Sequence, residues 1–210
     1  LGEALAQYER AIAIFRQIGH QFHLSMTLGD YALTASEGGE YTAAFQAAQE
    51  GLAIAEALGQ HSMTAYNLNG LAAAACGLHD WAASRRYLCR SLQISSAAHM
   101  YDHSMVSLYW LAHLLHKESK AGLSATQRSA SQLQALELLC LVQHDAATWQ
   151  LFRDRAQRTQ TELAATLPAE LRTLRLDLAD SGPRIRRDLV AALERSGVAL
   201  QPADATGVAV

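Results

Sequence analysis

Nine histidines stand in a chain of 210 residues, and imidazole is the side chain best suited to hold a metal or move a proton near neutral pH. His99 and His103 are four apart, a spacing that lets two imidazoles on one helix face share a metal. No HExxH accompanies them, and no carboxylate or cysteine stands at matching spacing. His113 lies on the same stripe, but a continuous helix rising 1.5 Å per residue would carry it about 20 Å away. These histidines therefore read as solvated or capping groups, with no metal expected. Patterns for covalent or phosphoryl chemistry are missing too: there is no GxSxG, GxxxxGK[ST] or GxGxxG. Cys89 and His99 lack any third group to make them a catalytic dyad. Glu37 and Glu40 sit at a turn and read as solvated or near caps. The expectation is a protein that is not an enzyme and uses no cofactor.

Composition narrows the partners. The net charge is −3, which offers no global attraction for a polyanion. Arg184, Arg186 and Arg187 cluster, but Asp188 beside them and the lack of interleaved aromatics give a solvated helix face, so direct nucleic-acid binding is not expected. Arg85, Arg86 and Arg90 read as arginines snorkelling over an outer helix face. Half of the residues are hydrophobic, yet no apolar run reaches the ~20 residues of a membrane span. Three cysteines, Cys76, Cys89 and Cys140, form no CxxC. Free buried thiols in a reducing compartment are the expectation, and hence a cytoplasmic location.

The elements that must position these side chains emerge from a repeat. Ile14, Ile54 and Ile94 stand forty residues apart, as do Ile12, Leu52 and Leu92. Leu28, Leu68 and Leu108 follow the same shift, with Ala32, Ala72 and Ala112. Within each unit the apolar positions recur at i, i+3, i+4 and i+7, the rhythm of an amphipathic helix rather than a strand. Each unit is therefore a pair of antiparallel helices. Gly38-Gly39 and Gly77-Leu78-His79-Asp80 mark the turns within units, with Asp80 placed as an N-cap. Gly19 and Gly59 mark the turns between units.

These residues resemble the tetratricopeptide repeat family. Its first helix carries large, large, small and variable positions at spacings of three, one and three. That pattern is matched by Leu28, Tyr31, Ala32, Ala35, then by Leu68, Leu71, Ala72, Ala75, and again by Leu108, Leu111, Ala112, Leu115. The second helix opens with an aromatic and a small residue, Tyr41/Ala44 and Trp81/Ser84, and continues through the small positions Ala11, Gly51 and Ser91. The forty-residue unit exceeds the usual length of about 34 and lacks the closing proline. It is similar to the long repeats of bacterial signalling ATPases and MalT-type transcription regulators. The resemblance implies an all-α fold, a right-handed superhelical solenoid of antiparallel helix pairs, with extra helices at the C-terminal end.

The expected organisation is a repeat array over 1–145. It comprises a half repeat (1–19), full units (20–59, 60–99) and a degenerate unit (100–145). Residues 1–19 match a second helix, so further repeats are expected upstream. Beyond Lys120 the register fades. Helices are predicted near 125–143, with Leu133, Leu136, Leu139 and Cys140 on one face, and near 146–167, with Trp149, Phe152, Ala156 and Leu163 inward. Pro168 then interrupts the path. The stretch from Glu162 to Arg172 is similar to the segment closing repeat arrays in large bacterial signalling ATPases. Residues 146–196 read as capping helices, the last over 184–196, and 197–210 as a mobile tail or linker.

In the family named above the first helices line a concave groove. Carried onto this chain, groove-facing offsets select Met26, Gly29, Leu33 and Ser36, then Tyr66, Asn69, Ala73 and Cys76, then Val106, Tyr109, His113 and His116. Tyr66, Asn69, Tyr109, His113, His116 and Lys117 are the candidate site, read either as a polar and aromatic end suited to a peptide or small effector or as residues that pack under the following helix. With Lys117 as its one groove cation, the chain does not offer the basic set that binds acidic chaperone tails. The resemblance implies a non-catalytic, protein- or effector-binding segment of a larger bacterial signalling or transcriptional regulator. Two alternatives are a stand-alone scaffold or homodimerisation module, and a peptide or small-molecule receptor using the groove.

Overall fold

A computed structural model describes residues 1–166, and every structural statement below concerns those residues. They form eight α-helices: α1 (Gly2–Gln17), α2 (Gln21–Gly38), α3 (Tyr41–Ala57), α4 (His61–Gly77), α5 (Trp81–Ala97), α6 (Tyr101–Ser119), α7 (Ala125–His144) and α8 (Gln150–Thr166). The expected helix over 184–196 and the tail over 197–210 lie outside the described residues.

Each helix packs on its successor, and α2, α4, α6 and α8 also pack on one another in turn. The architecture is an all-α array of helical hairpins with a continuous inner layer. The aligned repeat positions form its core. Leu28, Leu68 and Leu108 are buried, as are Ala32, Ala72 and Ala112. Alanine at these points lets neighbouring helices approach closely, and the leucines fill the space between hairpins. Gly70 shows how close this is: a Cβ there would lie 3.1 Å from those of both Ala32 and Ala48.

The structure reveals a finer period than the forty-residue unit. Backbone with positive φ occurs at Gly19, Gly39, Gly59, His79 and His99, every twenty residues. Each of α1 to α5 is followed by a left-handed residue whose successor donates its N–H back into the last turn, as Gln60 does to the Ala55 carbonyl at 2.9 Å and Asp80 to the Ala75 carbonyl at 2.9 Å. Gly77, expected to mark the fourth such turn, is instead the last residue of α4, and His79 takes the left-handed position. Gly77 serves packing: a Cβ there would overlap the Tyr41 ring. Asp80 caps α5 as expected, accepting from the Ala83 N–H at 2.9 Å.

Hydrogen bonds and ion pairs repeat with reversed direction. Ser25 donates to the Gly51 carbonyl at 2.7 Å; one unit on, Ser91 donates to the Ala65 carbonyl at 2.9 Å. On the outer helices Arg16 pairs with Glu50 at 2.5 Å, and forty residues later Glu56 pairs with Arg90 at 2.5 Å. Arg85 pairs with Glu118. Arg85 and Arg90 thus carry defined partners rather than snorkelling freely.

The predicted C-terminal helices shift slightly. Ser124 and Gln127 form a reciprocal capping box at the start of α7, and α7 buries Gln132, Ala135 and Leu138 in addition to Leu136 and Leu139, because α6 and α8 flank it. Helix α8 begins at Gln150. Trp149 precedes it and is 37% exposed rather than inward, whereas Phe152, Ala156 and Leu163 are buried as expected.

Candidate functional site

The inner helix layer is the surface that the repeat geometry selects, and α8 covers part of it. Trp149 packs at 6.0 Å from Tyr66 and 5.2 Å from His103, and Phe152 meets Tyr109 at 5.5 Å, all between ring centroids. Arg155, only 8% exposed, lies over the Phe152 ring and reaches the Glu37 carboxylate at 2.7 Å. Helix α8 is therefore tied to α2, three inner helices back.

This arrangement divides the six candidate residues. The Tyr66 hydroxyl donates to Asp30 at 2.8 Å. Burial lifts the Asp30 carboxyl above its usual range, and burial beside Asp30 pushes the Tyr66 phenol well up. Asn69 is fully buried, with no hydrogen-bond partner for either amide atom. His116 is 4% exposed and its carbonyl accepts from the Ser119 hydroxyl at 2.7 Å. None of these three lines the open cleft.

Tyr109, His113 and Lys117 do. They form one wall of a cleft of about 290 Å³ whose other wall is made by Ser36 and Glu37 of α2 and Ala73 and Cys76 of α4. Its volume sits at the lower end of small-molecule pockets, roughly 300–1,000 Å³. Trp110 and Tyr41 also border it. Ser36 Oγ, Trp110 Nε1 and His113 Nδ1 are buried without a hydrogen-bond partner among the described residues. Buried polar groups are normally paired, and each unpaired one costs on the order of 1–3 kcal/mol. Three residues that carry such an atom line this one cleft.

The electrostatics of the cleft follow from burial. Desolvation, with the Lys117 ammonium nearby, holds the His113 imidazole down at about 4, so it is neutral at pH 7. Burial pushes the Cys76 thiol up to about 12, which removes it as a nucleophile. A neutral imidazole, an indole N–H and a hydroxyl can bind and orient a ligand.

A second cleft, of about 320 Å³, lies between α1, α2 and α3. No unpartnered buried side chain lines it.

The histidine pair read as a possible chelate dissolves in the fold. His99 occupies the left-handed turn before α6 and is exposed, while His103 is inside α6 and 3.0 Å from Asp102 Oδ1. They do not share a helix face. No group of three or more histidine, cysteine or carboxylate side chains among the described residues is placed to hold a metal.

Sequence reasoning selected Ser36, Ala73 and Cys76 by offset but passed over Trp110 and Glu37. Trp110 lies next to a selected offset, where a large ring reaches sideways into the cleft. Glu37 gains its significance from Arg155, and no repeat register connects those two. No protein family, curated protein or solved structure matches the chain.

Proposed function

We propose that this chain is a non-catalytic binding segment that takes a protein segment or small effector on its inner helix layer. The observation that carries the reading is the convergence of Ser36, Trp110 and His113, each with an unpartnered buried polar atom, on one open cleft. Its thiol is insulated and its imidazole neutral, a set that recognises rather than reacts. Resemblance to tetratricopeptide repeats supports a place within a larger cytoplasmic bacterial signalling or transcriptional regulator. Occupation of the cleft touches three inner helices at once, so it would bias their mutual packing and pass to a neighbouring domain. No described helix is long and apolar enough to cross a membrane.

Native mass spectrometry of the gently purified chain, paired with photo-crosslinking from position 117, tests this. A mass increment lost in the Ser36→Val variant, or a protein adduct specific to position 117, supports it. A bare chain with no adduct removes it.

A homodimer is the second reading. Leu1, Ile14, Ile18 and Phe22 leave apolar side chains exposed at the α1 end, from 38% to 63%, and such patches favour association. Sedimentation that shows the monomer mass at every concentration would exclude it.

A further inference from the structure

The cleft is electrically two-sided, and that polarity restricts what fits. Its first wall is built from the last turns of α2 and α4, where backbone carbonyls carry the negative end of each helix dipole. Glu37 stands on this wall. One of its oxygens faces Arg155, and the carboxylate keeps further acceptor capacity. The opposite wall belongs to α6. Trp110, 4% exposed, carries a buried indole N–H that can only donate and finds no partner among the described residues. His113 also lines this wall, its buried Nδ1 without a partner among the described residues, and Lys117 adds an ammonium one turn further on. The Ser36 hydroxyl, 7% exposed and also unpartnered, can donate or accept.

A simple anion would satisfy the α6 wall but meet Glu37 and two helix C-termini. A simple cation would satisfy Glu37 but meet Lys117. Either ligand loses on one side what it gains on the other. Tyr41, Tyr109, Ala73 and Cys76 supply apolar surface between the walls, with room for one body of amino-acid size. Resting on the binding role proposed above, we infer that the cleft binds a compact zwitterion of the amino-acid class. Its ammonium meets Glu37 and the carbonyl ends of α2 and α4, and its carboxylate meets Trp110, His113 and Lys117.

The test follows the Trp110 indole N–H in nitrogen-15 correlation spectra of the whole chain. Separate titrations use L-phenylalanine, L-leucine, N-acetyl-L-phenylalanine and L-phenylalaninamide. L-phenylalanine or L-leucine is expected to shift the signal saturably, and each singly charged derivative to bind at least about tenfold more weakly than its parent, or about 1.4 kcal/mol. Lys117→Met should shrink the penalty of the amide, and Glu37→Gln that of the acetyl group. The derivative comparison uses the unaltered chain, so it does not depend on a variant folding. Equal binding of parent and derivatives overturns the zwitterion while leaving the cleft a binding site. Silence to all four probes also overturns it, and crosslinking from position 117 then decides separately whether this face takes a protein.

Discussion

The guanidinium of Arg155 in α8 lies 2.7 Å from the carboxylate of Glu37 in the last turn of α2. Arg155 is 8% exposed and the Glu37 side chain 31%, so one partner has been drawn out of water while the other remains at the rim. The pair joins the first full hairpin to the last described helix across the inner layer.

Removing the rim partner strands the buried one. Glu37→Gln is expected to lower unfolding free energy by about 1–2 kcal/mol, below the 3–5 typical of fully buried pairs because Glu37 is partly solvated. Arg155→Met should cost less, since it leaves the unpaired charge on the exposed side. Urea denaturation checks both, and equal losses would mean the packing of the Arg155 stem dominates.

Of the five left-handed positions spaced twenty residues apart, two are histidines. A side chain in that conformation costs roughly 1–2 kcal/mol that glycine avoids. His79→Gly and His99→Gly should each stabilise the chain by roughly 1 kcal/mol after the added entropy of an unfolded glycine. Gly59→Ala, at φ 65°, should destabilise it by about the same amount. Thermal unfolding of the three variants tests the sign at each turn.

Stability should fall in mild acid. His113 and His116 are held at about 4 in the fold, mainly by burial, against an ordinary 6.5. Lys117 and Lys120 oppose their protonation along α6, while Glu37, Tyr41, Cys76 and His79 face His113 across the cleft. Between these values the unfolded chain binds more protons, so stability present above pH 6.5 is lost as pH drops toward 4. His113 is expected to cost roughly 2 kcal/mol by pH 4.5, and the less desolvated His116 a smaller amount. Denaturant midpoints from pH 7 to pH 4.5, compared with His113→Gln, measure the loss.

Gly77 and Tyr41 should be coupled. A Cβ at position 77 overlaps the Tyr41 ring, so Gly77→Ala is expected to cost about 1–3 kcal/mol by overpacking. Tyr41→Leu should relieve most of that penalty in the double variant. A simple sum of the two losses would show that the ring swings away freely.

The forty-residue register exposed most of the fold because Leu28, Leu68 and Leu108 do the same job in each hairpin, and a repeated job leaves a repeated residue. Tyr109, His113 and Lys117 were legible for a related reason: they sit on the groove-facing stripe of a helix whose register was known. The role of α8 was not. Residues 120–124 lengthen the connection before α7, and beyond them no second instance exists against which α8 can be aligned. Tyr66 and Asn69 looked like groove residues because their own helix presents them inward; Asn69 is instead fully buried, and the α8 end, outside that reasoning, packs Trp149 against Tyr66. His99 failed as a helix-face residue because its period of twenty, shared with Gly19, Gly39 and Gly59, is a property of turns.

The reversed ion pairs on the outer helices also specify neighbours. Arg16 meets Glu50, but the residue forty positions beyond Glu50 is Arg90. An assembly that skipped a hairpin, or exchanged one with a second molecule, would bring Arg16 against Arg90 and forfeit both attractions. The apolar positions are too alike to forbid such a slip, since leucine replaces leucine and alanine replaces alanine. The charges add a distinction that the core lacks: Arg16 finds a carboxylate on the adjacent hairpin and an arginine one hairpin further on.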